Sequence, residues 1–179
     1  MAAASASYNA FVKNDFNGRV DSHGIVIDRC DFSRIHNILI FGDFTYGLTL
    51  LQSGHTSNSL SSYISNVFIR GARTGIYITG EYYVICNCFI FGCSVVGIHN
   101  NLAGNISIDN CTLTYNKVGI YVLGISTLNS DHGKITNCTI NHNQSCGIYL
   151  KNIRYSMGIN NNQIWAQIGP ATMNDISPL

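Results

Sequence analysis

The chain has 179 residues, of which 11% are charged, and a formal net charge of +1. That balance gives no electrostatic reason to expect a nucleic acid partner. No uninterrupted apolar run reaches the ~18 residues of a membrane span, so no membrane partner is expected. One Glu and four Lys stand against 24 Ile, 21 Asn and 17 Gly. This mixture disfavours helix and favours short strands joined by Asn and Gly turns. A hydrophobic share of 46% argues against disorder. The length suits one domain or a slice of a larger one.

Residues 1–9 lack the charged-then-apolar order of a secretory signal. Residues 1–23 are read as an N-terminal cap or lead-in. From there a repeat governs the chain. Gly followed by a branched apolar residue recurs at Gly24, Gly47, Gly75, Gly97, Gly119 and Gly147, at spacings of 23, 28, 22, 22 and 28. Between these marks falls a second motif, Ile-x-Asn-x-x-Ile or Leu, centred on Asn37, Asn66, Asn87, Asn110, Asn137 and Asn161. From each Asn to the next Gly the distance is 9 or 10 residues, whereas from Gly to Asn it varies between 12 and 19. One half of each repeat therefore has fixed length, and insertions fall at one place in the other half. Residues 166–179 lose the pattern and read as a tail that continues into a missing or neighbouring segment.

Fixed repeats with insertions at one edge describe a coil in which each turn adds one strand to each of several parallel sheets. The expected fold class is all-β, a right-handed parallel β-helix of about six turns over residues 24–165. Ile columns would fill the interior. Asn tolerates the left-handed conformation of a sharp bend. The six bend Asn are either turn formers alone or also a structural ladder of stacked amides.

The Gly-Ile-Tyr-Ile strand at Gly75, the Asn bend and the ~22-residue turn resemble the pectin-lyase-like superfamily of right-handed parallel β-helices. The resemblance covers roughly residues 24–164 and is most like a bacteriophage tailspike or tail fibre segment. It implies a homotrimer in the virion tail, folded in the host cytoplasm, that binds bacterial surface polysaccharide. Alternatives within it are a polysaccharide hydrolase or lyase, and a structural rod or assembly subunit. No calcium-binding Asp cluster like a pectate lyase's is present, and no Asp-Asp pair like a polygalacturonase's on one strand end.

Strand alternation turns Val26, Thr49, Tyr77, His99, Tyr121 and Tyr149 outward. Ring faces with polar rims suit sugar rings or another protein surface, or they stack only for stability. A second outward column holds Leu39, Phe68, Phe89, Thr112, Thr139 and Gln163. Its apolar first half reads as a trimer contact, or as a surface covered by a lead-in segment carrying Tyr8, Phe11 and Phe16. The long loops at residues 51–62 and 124–133 would wall a cleft. Tyr77 and His99 form its floor, Glu81 and Asn101 its edge, and His55, Asp131 and His132 its walls. Glu81, Asp109 and Asp131 are the candidate catalytic carboxylates, since glycoside hydrolysis needs a pair ~5–10 Å apart.

Seven cysteines make an odd number for a disulfide framework and read as reduced thiols. Cys88, Cys111 and Cys138 share a column expected to point inward. Cys86-Asn87-Cys88 has no second thiol pair at zinc spacing, so neither metal nor cofactor is expected.

Overall fold

The computed structural model describes residues 22–28, 30, 32–51, 62–102, 104–124, 132–153 and 156–165, and the backbone of residues 10–14. Its elements are all strands. The first six are β1 (Ala10–Asn14), β2 (His23–Asp28), β3 (Arg34–Gly42), β4 (Tyr46–Leu51), β5 (Ser62–Arg70) and β6 (Thr74–Ile78). Then follow β7 (Tyr83–Cys86), β8 (Phe89–Phe91), β9 (Val96–Asn101), β10 (Ile106–Asp109), β11 (Thr112–Thr114) and β12 (Val118–Leu123). The last are β13 (Gly133–Thr136), β14 (Thr139–Asn141), β15 (Cys146–Lys151), β16 (Met157–Asn160) and β17 (Gln163–Trp165).

Every strand pairing is parallel. The Gly-Ile strands form a six-stranded sheet in the order β15-β12-β9-β6-β4-β2. The Asn motif forms an 11-stranded sheet folded into two wings, β16-β13-β10-β7-β5-β8-β11-β14-β17, with β3 beside β5 and β1 beside β3. Strand β5 passes unbroken through the bend at Asn66 and joins the wings; in later turns the bend splits the strand in two. The fold is thus the all-β parallel solenoid that the repeat implies. Six strands in the shorter sheet bound about five complete turns, one fewer than six repeat marks suggest, because six marks enclose five intervals. Strand β1 adds a layer beside β3 (Ala10↔Ile38 to Asn14↔Gly42), so the backbone of residues 10–14 lies in the coil.

Like stacks on like along the axis. Ile35, Ile64, Ile85, Ile108, Ile135 and Ile159 are in register. So are Ile40, Ile69, Ile90, Leu113, Ile140 and Ile164. In the middle turns Ile64, Ile85, Ile108, Ile69, Ile90 and Leu113 are all fully buried. Truncating such a side chain to Ala costs on the order of 2–5 kcal/mol. Cys88, Cys111 and Cys138 point inward beside them and fill small gaps. No disulfide forms among the cysteines of the described residues.

The repeat glycines are required by proximity rather than by conformation. None of the six has a positive φ. A Cβ on Gly97 would lie 2.7 Å from the carbonyl oxygen of Gly119 and 3.0 Å from Leu113 Cδ2; one on Gly75 would lie 2.5 Å from that of Gly97. A side chain would wedge successive turns apart.

The bend asparagines, in contrast, are chosen for conformation. All six hold φ between 49° and 57°. Asn66 Nδ2 donates to Asn37 Oδ1 (3.3 Å) and Asn110 Nδ2 to Asn87 Oδ1 (2.7 Å), while Asn137 Nδ2 donates to the Asp109 carboxylate (2.8 Å). Asn66, Asn87, Asn110 and Asn137 are exposed, so these bonds join surface amides rather than satisfying buried groups.

A second set of asparagines points into the coil, Asn116 and Asn143 buried and Asn162 half-buried. Asn116 Oδ1 accepts from Cys93 N (2.9 Å) and its Nδ2 donates to Ile90 O (3.2 Å). Asn143 Oδ1 accepts from Asn116 N (3.0 Å) and its Nδ2 donates to Leu113 O (3.2 Å). Asn162 does the same for Cys138 N and Ile135 O, each at 2.9 Å. Each amide satisfies a donor and an acceptor on the turn before it, as buried backbone requires.

Candidate functional site

On the outer face of the six-stranded sheet the strand register places Tyr77, His99, Tyr121 and Tyr149 on consecutive turns. Their rings form one continuous ladder with two further residues. Centroid separations run His23–Tyr46 5.0 Å, Tyr46–Tyr77 5.0 Å, Tyr77–His99 5.2 Å, His99–Tyr121 4.8 Å and Tyr121–Tyr149 5.1 Å. Periodicity had not placed His23 and Tyr46 here, because they sit across from Thr74 rather than Tyr77. Small Thr49 occupies the Tyr77 column in the turn before. Thr49 is only 1% exposed and bonds His23 Nδ1 at 2.7 Å. An aromatic residue directly before the repeat glycine, as in His23-Gly24 and Tyr46-Gly47, was the available signal.

The ladder changes what the rings can offer. The His99–Tyr121 planes lie 19° apart and the Tyr121–Tyr149 planes 29° apart, so the ring faces cover one another. At these two contacts the stacked rings turn edges and polar rims outward, whereas Tyr77 meets His99 edge-on at 80° and is tilted 53° from Tyr46. Asn101 Nδ2 donates to Tyr77 Oη at 2.6 Å, which fixes one rim. Burial pushes the His99 pKa down.

The second outward column is also in register, from Leu39 through Phe68, Phe89, Thr112 and Thr139 to Gln163. Phe68 and Phe89 stack at 5.1 Å and 2°. Phe41 lies 5.3 Å from Phe68, and Arg70 covers Phe91 at 5.4 Å. Tyr115 and His142 continue the stripe with planes 7° apart. They hold the left-handed φ that Gly71 and Gly92 hold in earlier turns.

The candidate carboxylates do not converge. Glu81 bridges to Gly104 ahead of β7, whereas Asp109 sits at the far end of β10 opposite Cys86. A left-handed bend at Tyr82 and the four residues of β7 lie between the two positions. The Asp109 carboxylate accepts from Thr136 Oγ1 (2.6 Å) and Asn137 Nδ2 (2.8 Å) on the next turn. These two bonds, Thr136 first, hold its pKa below the ordinary value, the opposite of what a general acid needs. His55 and Asp131 lie outside the described residues, as do most of the two long loops expected to wall the cleft. His132 is exposed just before β13. Among the described residues no three of His, Cys, Asp and Glu gather as metal ligands would.

Parallel coils with aliphatic columns inside, bend asparagines at one corner and aromatic ladders outside define a parallel β-solenoid. The chain belongs to the right-handed beta helix region family, whose model matches residues 23–171. Comparison with curated proteins and with solved structures gives no match.

Proposed function

We propose that this coil is a polysaccharide-binding segment of a virion tail spike or tail fibre, working as a homotrimer on bacterial surface glycans. One observation carries the reading. Tyr77, His99, Tyr121 and Tyr149 stand on consecutive turns in unbroken register, so a repeating polymer laid along the axis meets an aromatic ring at each layer and a phenol at three of the four. The apolar stripe around Phe68 and Phe89 supports subunit contact, because stripes of this kind are usually covered. The thiol-only cysteines agree with folding in a reducing host cytoplasm.

A hydrolase or lyase has less support, since Glu81 and Asp109 stand apart and Asp109 is tied into the coil. Calorimetric titration of the whole chain with extracted surface polysaccharides tests the reading. The triple change Tyr77→Phe, Tyr121→Phe, Tyr149→Phe keeps the ring stack and removes the hydroxyls. Binding by the parent chain and a loss of tenfold or more in the triple variant, each decade being about 1.4 kcal/mol, are expected. Absence of binding to every polysaccharide, or unchanged affinity in the triple variant, overturns it. New reducing or unsaturated ends would instead make the chain an enzyme.

A further inference from the structure

A different face of the coil carries open rings. Outside one wing, at the starts of β3, β5, β7 and β10, a recess of ≈ 370 Å³ is lined by Phe32, Arg34, Tyr63, Tyr82, Val84 and Asn105, among others. A second recess of ≈ 420 Å³ is lined by Arg34, His36, Tyr63 and Ser65. The two share Arg34 and Tyr63 and so form one groove with two lobes. Consecutive turns are tied beneath it by Tyr63 N to Ser33 O at 2.8 Å and Ser62 N to Tyr82 O at 3.2 Å.

Three observations give the groove a chemical character. Its rings are uncovered: Phe32 is 70% exposed, Tyr63 45% and Tyr82 40%, and among the described residues none of the three stacks on another ring. Its bends are strained: Phe32 (φ 56°) and Tyr82 (φ 61°) hold the left-handed conformation, which bulky side chains rarely adopt. Neither is buried, so packing does not account for an aromatic residue where Gly would sit without strain; such outliers cluster at ligand sites. Its charge is one-sided: among the described residues Arg34 is exposed with no carboxylate partner and no acidic side chain lines either lobe. Asn37 Nδ2 meets His36 Nδ1 at 3.3 Å at the edge of the second lobe.

We propose that this groove binds an acidic saccharide: the sugar's C–H face lies on the rings of Phe32, Tyr63 and Tyr82, and its carboxylate pairs with the Arg34 guanidinium. A planar guanidinium suits a carboxylate in a two-point contact. The hydroxyls of Ser33, Ser62 and Ser107, which also line the groove, suit the ring hydroxyls. One Lys or Arg among the described lining residues is too little for a nucleic acid backbone, so the saccharide is favoured over a nucleotide. The site lies on a different sheet from the Tyr77–Tyr149 ladder, and the inference does not rest on it.

The test is titration of the full chain, by NMR or calorimetry, with sialyllactose, oligogalacturonate and hyaluronan fragments, each beside its carboxyl-reduced counterpart. At least one acidic oligosaccharide is expected to bind ten times more tightly than its reduced form. Arg34→Ala abolishes that preference and Arg34→Lys restores part of it. Tyr82→Gly keeps the left-handed bend without strain, so it folds at least as well as the parent while losing tenfold or more in affinity. Gln144→Ala, exposed and part of neither the groove nor the ladder, leaves this binding unchanged, and the carboxyl preference that Arg34→Ala removes separates failure here from failure of the ladder reading. Equal binding of reduced sugars, indifference to Arg34→Ala or Tyr82→Gly, no binding to any acidic sugar, or stronger binding of adenosine monophosphate than of every sugar overturns the proposal.

Discussion

Two columns of asparagine run along this coil, and they do opposite work. The bend column is exposed and left-handed; Gly could hold the same backbone at Asn110. The inner pair, Asn116 and Asn143, is fully buried, absent from the left-handed set, and bonded at both ends of the amide to the preceding turn. Local conformation selects the first column; the need to satisfy backbone that water cannot reach selects the second. The same residue type therefore carries very different energetic weight at two corners of one turn.

The largest effect that separates the columns comes from Asn143→Leu. It leaves Asn116 N–H and Leu113 C=O without partners inside the coil, at ~1–3 kcal/mol each. A loss of about 4 kcal/mol in urea unfolding is expected. A loss under about 1 kcal/mol would mean that the inner column is no more than filler. Next comes Asn110→Ala, which keeps the left-handed backbone but removes the side-chain amide that makes it tolerable, for roughly 1–2 kcal/mol. If that variant proves as damaging as Asn143→Leu, the distinction between columns fails.

A smaller effect follows from acid. The folded pKa of Asp109 lies below its ordinary value of 3.8. Its contribution to stability is therefore present above that value and disappears as pH falls through the folded value. The urea midpoint of the parent should drop more steeply below pH 4 than that of Asp109→Asn; matching profiles would remove Asp109 from the surface bonding of the bend. The smallest change is Asn110→Gly. It keeps the bend and loses only the exposed bond to Asn87, so its thermal midpoint should stay within a few degrees of the parent.

The aliphatic columns, the bend asparagines and both outward columns were legible because each recurs in nearly every turn at a fixed distance from its neighbours. The inner asparagines were not. The place they occupy holds Ala72 and Cys93 in earlier turns, as the bonds Ser94 N to Ala72 O, Lys117 N to Cys93 O and Gln144 N to Asn116 O make plain. A role filled by three residue types leaves no period to read. Leu113 and Ile140, each followed three residues later by Asn, were the only trace. Alternation put Tyr77, His99 and Tyr121 on one face but said nothing about ring planes, and the planes decide whether a sugar meets faces or edges. The groove at Phe32 and Tyr82 escaped notice because it is built at a corner where insertions shift the count. Placement on adjacent turns likewise made Glu81 and Asp109 a plausible pair, although strand register puts one ahead of β7 and the other opposite its far end.

Each coil rests on the one before it, and the repeat glycines return every 22–28 residues. Closing a loop of that length carries nearly the same entropic cost every time. A nascent chain thus acquires its next hydrogen-bonding edge once a single further coil has emerged, and ordering advances from the amino end during synthesis without awaiting distant sequence.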